Sequence, residues 1–167
     1  AFRRVNSSKY LFDKVTKTLY FELAECVGIK DLLKEELNPY LASTYGLGIA
    51  IKEAILKHNP LKIIVGIGGS ASNDGGVGML EAMGVKFCDK EGNVIYGMCN
   101  AKLKDIYAIG TESFNKLIKN IEFEVLTDVS NPLLGDKGAT YVFSPQKGAK
   151  KEDLPILEAN MFKYNEL

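Results

Sequence analysis

The chain has 167 residues, of which 46% are hydrophobic and 25% are charged, and its 21 basic and 21 acidic residues cancel at neutral pH. This balance is typical of a globular domain, and the absence of a basic excess excludes a nucleic-acid surface as the expected binding site. No apolar run approaches the roughly 20 residues of a membrane span. Three cysteines without C-x-x-C spacing and a single histidine argue against a zinc site and predict reduced thiols in a cytoplasmic protein.

The order of elements along the chain predicts an α/β fold, a layered and mostly parallel sheet with flanking helices. The apolar strands at 61–67 and 123–129 have the composition of strands buried on both faces of such a sheet. A helix over 8–26 is an alternative to the first two strands, although the aromatic content favours strands. We expect strands at 9–13 and 18–23, a short helix at 23–26, a helix at 44–58, a strand at 61–67, a helix at 75–83, strands at 85–88 and 106–109, a helix at 111–120, a strand at 123–129 and a final helix lined by Leu154, Leu157, Met161 and Tyr164.

The most informative segment is residues 63–84, IIVGIGGSASNDGGVGMLEAMG, in which an apolar strand leads through two glycine clusters into a helix. Glycine allows close approach to the backbone, and a helix N-terminus offers unpaired N–H groups with about half a positive charge. The segment therefore predicts a site for a phosphate or a carboxylate.

A dinucleotide site is an alternative for the same segment. Gly66, Gly68 and Ala71 satisfy G-x-G-x-x-A, and Asp89 follows about 20 residues later, as that fingerprint requires. However, the helix of a dinucleotide fold is already under way where Asp74 stands, and its carboxylate would face the pyrophosphate. Asp74 itself is equally interpretable as a helix cap, worth about 0.5–2 kcal/mol.

A second candidate segment is residues 126–149, LTDVSNPLLGDKGATYVFSPQKGA. Asp128 ends a predicted parallel strand, so Asp74 and Asp128 are predicted to face one crevice at the carboxyl ends of the strands. Two acids there suit Mg²⁺ binding or proton abstraction from a hydroxyl. Lys147 is a candidate point charge for a phosphate. The simpler interpretations are that Asp128 and Asn131 cap a turn and that Lys147 is a solvated surface residue.

For two other features, the segment 43–48 and His58, a structural role is the first interpretation. The segment from Ser43 to Gly48 is interpreted as a helix cap with close packing, and only second as another anion or hydroxyl site. His58 is interpreted as a charge complement at a helix C-terminus.

Taken together, four segments resemble the bacterial glycerate kinases in order and spacing: YFELAECVGI, NPYLASTYGLG, the glycine segment and the 126–149 segment. Members of that family are longer and have two α/β domains with the active site between them. The chain lacks an initiating methionine and stops within the apolar stripe of its final helix. We therefore expect residues 1–167 to be mainly one α/β domain of a glycerate kinase-like protein, with the partner domain largely absent.

The resemblance implies ATP-dependent phosphorylation of D-glycerate, with 2-phosphoglycerate as the expected product and ATP and Mg²⁺ as cofactors. The resemblance also implies a small-molecule substrate and no membrane partner, and it is compatible with a homodimer. The competing hypotheses are a dinucleotide-binding domain and a truncated domain without independent activity. The implied catalytic residues are Asp74, Asp128 and Lys147, the implied metal ligands Asp74 and Asp128, and the implied binding residues Gly66, Gly68, Gly69, Ser70, Asn73, Gly75, Asn131, Gly135, Gln146 and Gly148.

Overall fold

The computed structural model describes residues 7–167, in which short helices alternate with strands. The elements in chain order are β1 (Leu11–Asp13), β2 (Thr18–Glu22), α1 (Leu23–Val27), α2 (Tyr45–His58), β3 (Lys62–Gly66), α3 (Val77–Ala82), β4 (Lys86–Cys88), β5 (Val94–Ile95), β6 (Ala108–Gly110), α4 (Glu112–Leu117), β7 (Glu122–Leu126), α5 (Ala139–Phe143) and α6 (Leu154–Asn165).

The strands form a main sheet with the order β1-β2-β3-β7 and a small second sheet with the order β5-β4-β6. In the main sheet β1 and β2 form an antiparallel hairpin, while β2–β3 and β3–β7 are parallel pairs. The second sheet is antiparallel throughout. The predicted α/β fold with a mostly parallel sheet is therefore confirmed, and the hairpin excludes a helix over 8–26. The separation of β4 and β6 into their own sheet was not predicted.

The main core lies between one face of the main sheet and helix α2. The α2 helix covers nearly the predicted span, and its apolar residues at helical spacing face the strands. A second core lies beneath the small sheet and receives Met161 from α6. The fully and largely buried side chains of the main core are Leu19, Phe21, Leu23, Val27, Leu47, Ile51, Ala54, Ile55, Ile63, Val65 and Met83.

The prediction that the strands at 61–67 and 123–129 are buried on both faces is wrong for the described residues. In β3 the burial alternates, with Ile63 and Val65 buried but Ile64 only half-buried. In β7 both Phe123 and Val125 are exposed, although they are in register with the buried residues of β3. The reason is position: within the described residues β7 is an edge strand of the sheet, and none of its side chains belongs to the main core.

His58 lies in the last turn of α2, as expected of a charge complement, and its ring also makes contacts that were not predicted. Its ring stacks on Phe12 at a centroid separation of 4.4 Å, and its Nε2 lies 3.0 Å from the Tyr10 hydroxyl. His58 therefore fastens the end of α2 to the strand β1 and its flank.

The carboxyl ends of the parallel strands meet at one edge of the main sheet. Glu22, the last residue of β2, is in register with Gly66, the last residue of β3, and Gly66 is in register with Leu126 of β7. Ligands of open α/β sheets bind at this edge. Within residues 7–167 no helix combines the length and apolar character that a membrane crossing requires.

Candidate functional site

A cavity of about 620 Å³ opens at the carboxyl ends of β2 and β3. One wall is the start of the glycine loop, which we define as residues 67–76 between β3 and α3. The other wall comes from the end of β2, α1 and the turn after it. The lining residues are Ser7, Glu22, Ala24, Glu25, Gly28, Lys30, Asp31, Gly66, Gly68 and Gly69.

The glycine wall presents free backbone donors to this cavity. The neighbouring amides are used: Ile67 N–H donates to the Leu126 carbonyl and Ala71 N–H to the Val27 carbonyl. The N–H groups of Gly68 and Gly69, in contrast, donate to no residue between 7 and 167. A Cβ atom at Gly68 would meet nothing within 4 Å. The chain's own packing therefore does not explain glycine at this position, whereas close approach of a ligand does.

The Asp74 carboxylate is buried, with 2% of the residue exposed, between the N-termini of α2 and α3. Its Oδ2 accepts hydrogen bonds from the Thr44 backbone N–H and hydroxyl, both at 2.8 Å, and from Gly78 N–H at 3.2 Å. Its Oδ1 accepts one from Gly76 N–H at 3.2 Å. Asp74 therefore joins the starts of the two helices. It was interpreted as a cap of its own helix, α3, and it also binds the start of α2.

This arrangement corrects the expectation that the helix after the glycines offers unpaired N–H groups to a ligand. Gly78 N–H donates to Asp74, Met79 N–H to the Thr44 hydroxyl, and Val77 N–H to the Asp74 carbonyl. The first turn of α3 is satisfied by the chain itself. Of the residues of the glycine loop, Gly68 and Gly69 line the cavity, and their N–H groups donate to no residue between 7 and 167.

Burial raises the pKa of the Asp74 carboxyl above its ordinary value, and the hydrogen bonds from Thr44, Gly76 and Gly78 oppose that rise. Both carboxylate oxygens are engaged, so Asp74 does not fit the donor set of a metal ion. These contacts favour a structural role over the catalytic and metal-binding roles, which stay predictions.

Asp128 lies two residues beyond the end of β7 and is exposed. It makes no hydrogen bond or ion pair with residues 7–167. In the described part of the chain no three His, Cys, Asp or Glu side chains cluster as a metal centre. Kinases hold Mg²⁺ with one or two carboxylates together with phosphates and waters, so a single free carboxylate fits the protein's share of such a site. Asp128 meets that requirement. It is exposed whereas Asp74 is buried, and the two carboxylates make no contact with each other.

Lys147 is not the solvated residue of the simpler interpretation, because only 9% of it is exposed. Its Nζ donates to the Ser70 hydroxyl at 3.1 Å and to the Ser72 carbonyl. Burial lowers the pKa of Lys147 to about 8, an effect that the nearby Asp74 carboxylate opposes. The structure thus brings the second candidate segment onto the glycine loop.

The remaining predicted residues of 126–149 occupy turns around this contact. Asn131 is exposed and donates through Nδ2 to the Lys137 carbonyl at 2.8 Å. Gly135 has φ 93° and donates to Glu158. Gln146 is exposed next to Lys147, and Gly148 lies against Leu37. Their predicted binding roles are untested by these contacts.

Asn73 and Gly75 lie in the last part of the glycine loop, away from the cavity lining. Asn73 is buried, and its Nδ2 lies 3.4 Å from the Thr140 hydroxyl of α5. Its carbonyl accepts from Asn100 Nδ2 at 2.9 Å, and Asn100 in turn accepts from Asn160 of α6. Gly75, with φ 60°, takes a backbone conformation that favours glycine. The end of the loop is therefore fixed by buried polar contacts.

The geometry disfavours a dinucleotide site. Residues 67–76 are irregular and α3 begins only at Val77, whereas the fingerprint requires the helix to start within the glycines. Asp89 does not end a strand of the main sheet. Its carboxylate instead accepts from the amides of Glu91 and Asn93 in the turn between β4 and β5.

Comparison with known proteins decides the relationship. Residues 1–167 match the profile of the Glycerate kinase family. This chain belongs to the glycerate kinase family. It is 38% identical over 151 residues to the glycerate 2-kinase of Escherichia coli K12 and 40% identical over 151 residues to the glycerate kinase of Haemophilus influenzae, covering 90% of this chain and 39% of each relative. The glycerate kinase of Bacillus cereus is 39% identical over 155 residues, which are 93% of this chain and 40% of that protein.

A solved glycerate kinase structure has the same fold. The putative glycerate kinase 2 of Salmonella typhimurium LT2 superposes with a TM-score of 0.89 at 34% identity, over 96% of this chain and 43% of that one. The chain thus spans about two fifths of the length of its glycerate kinase relatives.

Several residues of the candidate site were missed from the sequence. The cavity wall opposite the glycine loop carries three acids and a lysine: Glu22, Glu25, Asp31 and Lys30. Glu22 was findable, since it is an acid at the carboxyl end of a parallel strand. Thr44 is the N-cap residue of α2, as expected, but the hydrogen bonds from its N–H and hydroxyl to Asp74 were not predicted. Asn100 and Asn160, which lie far from any glycine motif, gave no sequence indication.

Proposed function

We propose that the protein containing this chain phosphorylates D-glycerate with ATP, giving 2-phosphoglycerate. Family membership supports the substrate and the reaction class, and the E. coli relative carries the name glycerate 2-kinase. We further propose that the protein acts in the cytoplasm as a homodimer on a small molecule, without a nucleic-acid partner.

The observation that carries the proposal is the pair of free N–H groups at Gly68 and Gly69 in the wall of the cavity. Backbone donors without a partner suit the oxygens of a phosphate or a carboxylate, which both substrates supply. Their position at the carboxyl ends of parallel strands is where α/β proteins bind ligands.

Phosphoryl transfer needs a positioned hydroxyl and preorganised charge stabilisation more than covalent chemistry from the protein. In this proposal Gly66, Gly68, Gly69 and Ser70 form the anion cradle, and Asp128 holds Mg²⁺ or orients the glycerate hydroxyl. Bound Mg²⁺ would neutralise charge on the transferred phosphoryl group.

Ligand-dependent thermal unfolding of the full-length protein separates this proposal from its rivals. D-glycerate and MgATP are each expected to raise the melting temperature, since a ligand at 100 times its Kd stabilises by about 2.7 kcal/mol. NAD is expected to have no effect. A shift with NAD alone would favour the dinucleotide hypothesis, and no shift with any of the three would favour a catalytically silent domain.

The anion cradle makes a separate prediction for Gly68→Ala. Because a Cβ at Gly68 meets nothing within 4 Å, the melting temperature should stay within about 2 °C of wild type. The added methyl group occupies the space where a ligand would approach. The Kd of the anionic substrate that the cradle holds, glycerate or MgATP, should therefore rise by about tenfold or more, measured by calorimetric titration.

The matched control is Gly110→Ala on β6, where a Cβ would meet its nearest neighbour at an ordinary 3.7 Å, far from the cavity. It should change neither stability nor affinity. If Gly68→Ala binds glycerate and MgATP as tightly as wild type, the cradle is not at Gly68.

A further inference from the structure

Lys147 makes its contacts from behind the glycine loop and not from the cavity. Its Nζ donates to the Ser70 hydroxyl and the Ser72 carbonyl, and the Ser70 hydroxyl itself donates to the Ser72 carbonyl at 3.3 Å. The three groups form a closed triangle that is largely removed from solvent. Lys147 is not among the residues that line the cavity.

The backbone around Lys147 holds its side chain in this inward direction. Lys147 closes a one-turn 3-10 helix, Pro145–Lys147, and its N–H donates to the Ser144 carbonyl at 3.0 Å. The next residue, Gly148, has φ 96°, and a Cβ there would lie 2.7 Å from the Leu37 carbonyl oxygen. The close packing of Gly148 leaves the turn little freedom to redirect the lysine.

The opposite side of the loop is fastened by main-chain hydrogen bonds. Ile29 N–H donates to the Gly69 carbonyl at 3.0 Å, and Ala71 N–H donates to the Val27 carbonyl at 2.8 Å. These bonds hold one side of the loop at residues 69–71. On the other side, the only charged group that bonds the loop within residues 7–167 is Lys147.

We propose that Lys147 is a positioning residue that clamps Ser70 and Ser72, so that the free N–H groups of Gly68 and Gly69 keep their orientation toward the cavity. Lys147 then acts through the loop and does not touch the transferred phosphoryl group. The inference rests on the proposed function for the identity of the anion, but the clamp itself concerns only this chain.

The test is Lys147→Met in the full-length protein, followed by amide hydrogen exchange and steady-state kinetics. Exchange in residues 67–72 should accelerate at least tenfold, while exchange in α2 stays unchanged. The kcat/KM for glycerate phosphorylation should fall by about 100-fold, as for other small displacements of a catalytic geometry. The fold should persist, because removing a buried charge offsets the lost hydrogen bonds.

A double-variant cycle identifies the route of the effect. Since Lys147 acts through the loop, Ser70→Ala should cost less in the Lys147→Met background than in wild type. Lys150→Met, an exposed lysine three residues away, is the control and should leave exchange and kcat/KM unchanged. Should Lys147→Met fail to fold, Lys147→Gln, with a shorter side chain that still donates, undergoes the same measurements.

Three outcomes would overturn the proposal: unchanged exchange at 67–72 with lost turnover, accelerated exchange throughout the chain, or additive effects of Lys147→Met and Ser70→Ala. The first would place Lys147 on the substrate, and the second would make it a general structural residue. If the wild-type protein shows no glycerate-dependent turnover, the proposed function fails. The exchange measurement would still decide whether the clamp exists.

Discussion

Replacing Asp128 with Asn in the full-length protein is expected to lower turnover with glycerate and ATP by about 100-fold or more, without loss of folding. Asp128 is an exposed carboxylate at the carboxyl edge of the sheet and has no hydrogen-bond partner within residues 7–167. A carboxylate that holds Mg²⁺ or accepts the hydroxyl proton contributes about 10²–10⁴ in rate. The amide is the same size but lacks the negative charge that favours Mg²⁺ and cannot accept the hydroxyl proton, and a surface change of this kind alters stability by about 0.5 kcal/mol or less.

The matched control is Asp136→Asn, eight residues later in the same loop region and also exposed. It should leave both turnover and melting temperature as in wild type. The measurement is kcat and KM for both substrates, with thermal unfolding of each variant. Near-normal turnover in Asp128→Asn would remove Asp128 from the mechanism.

Replacing Asp74 with Ala is expected to lower the stability of the fold strongly, whereas Asp128→Asn is expected to lower turnover and leave stability unchanged. The change removes the acceptor for four donors at the starts of α2 and α3, in a site with 2% exposure. Buried donors left without a partner cost about 1–3 kcal/mol each, so a total of about 3 kcal/mol or more is expected. For a domain of this size that loss lowers the melting temperature by about 6–12 °C.

Asp74→Asn separates the structural role of Asp74 from a catalytic one. An Asn side chain keeps the oxygen that accepts the three hydrogen bonds from Thr44 and Gly78 and loses only the one from Gly76 N–H. Its melting temperature should therefore fall much less than that of Asp74→Ala, and turnover should follow the folded fraction. If Asp74→Asn is fully folded but loses turnover as Asp128→Asn does, Asp74 takes part in the chemistry.

The sequence predicted the scaffold well because hydrophobic spacing is local. The α2 helix, the β1–β2 hairpin and the parallel strand β3 all follow from apolar periodicity and turn residues within short windows. The exposure of Phe123 and Val125 could not be predicted from local hydrophobic spacing. Their apolar run is typical of a buried strand, and only the strand order shows that β7 lies at an edge.

The position of the candidate site in the fold could be predicted from the sequence, but the directions in which its side chains point could not. The glycines and the strand ends located the cavity edge correctly. Whether Asp74 points into a crevice or between two helices depends on Thr44, 30 residues away, and Lys147 meets Ser70 across 77 residues. Such long-range contacts leave no periodic pattern in one sequence, so the burial of the Asp74 carboxylate between two helix starts could not be predicted from it.

Glycerate kinase activity is tested most directly by a coupled assay of ADP release by the full-length protein, run in parallel on the 167-residue chain. We predict that the full-length protein releases ADP only when D-glycerate and MgATP are both present, with one phosphoglycerate formed for each ADP. The absence of glycerate-dependent ADP release from a folded full-length protein would contradict it.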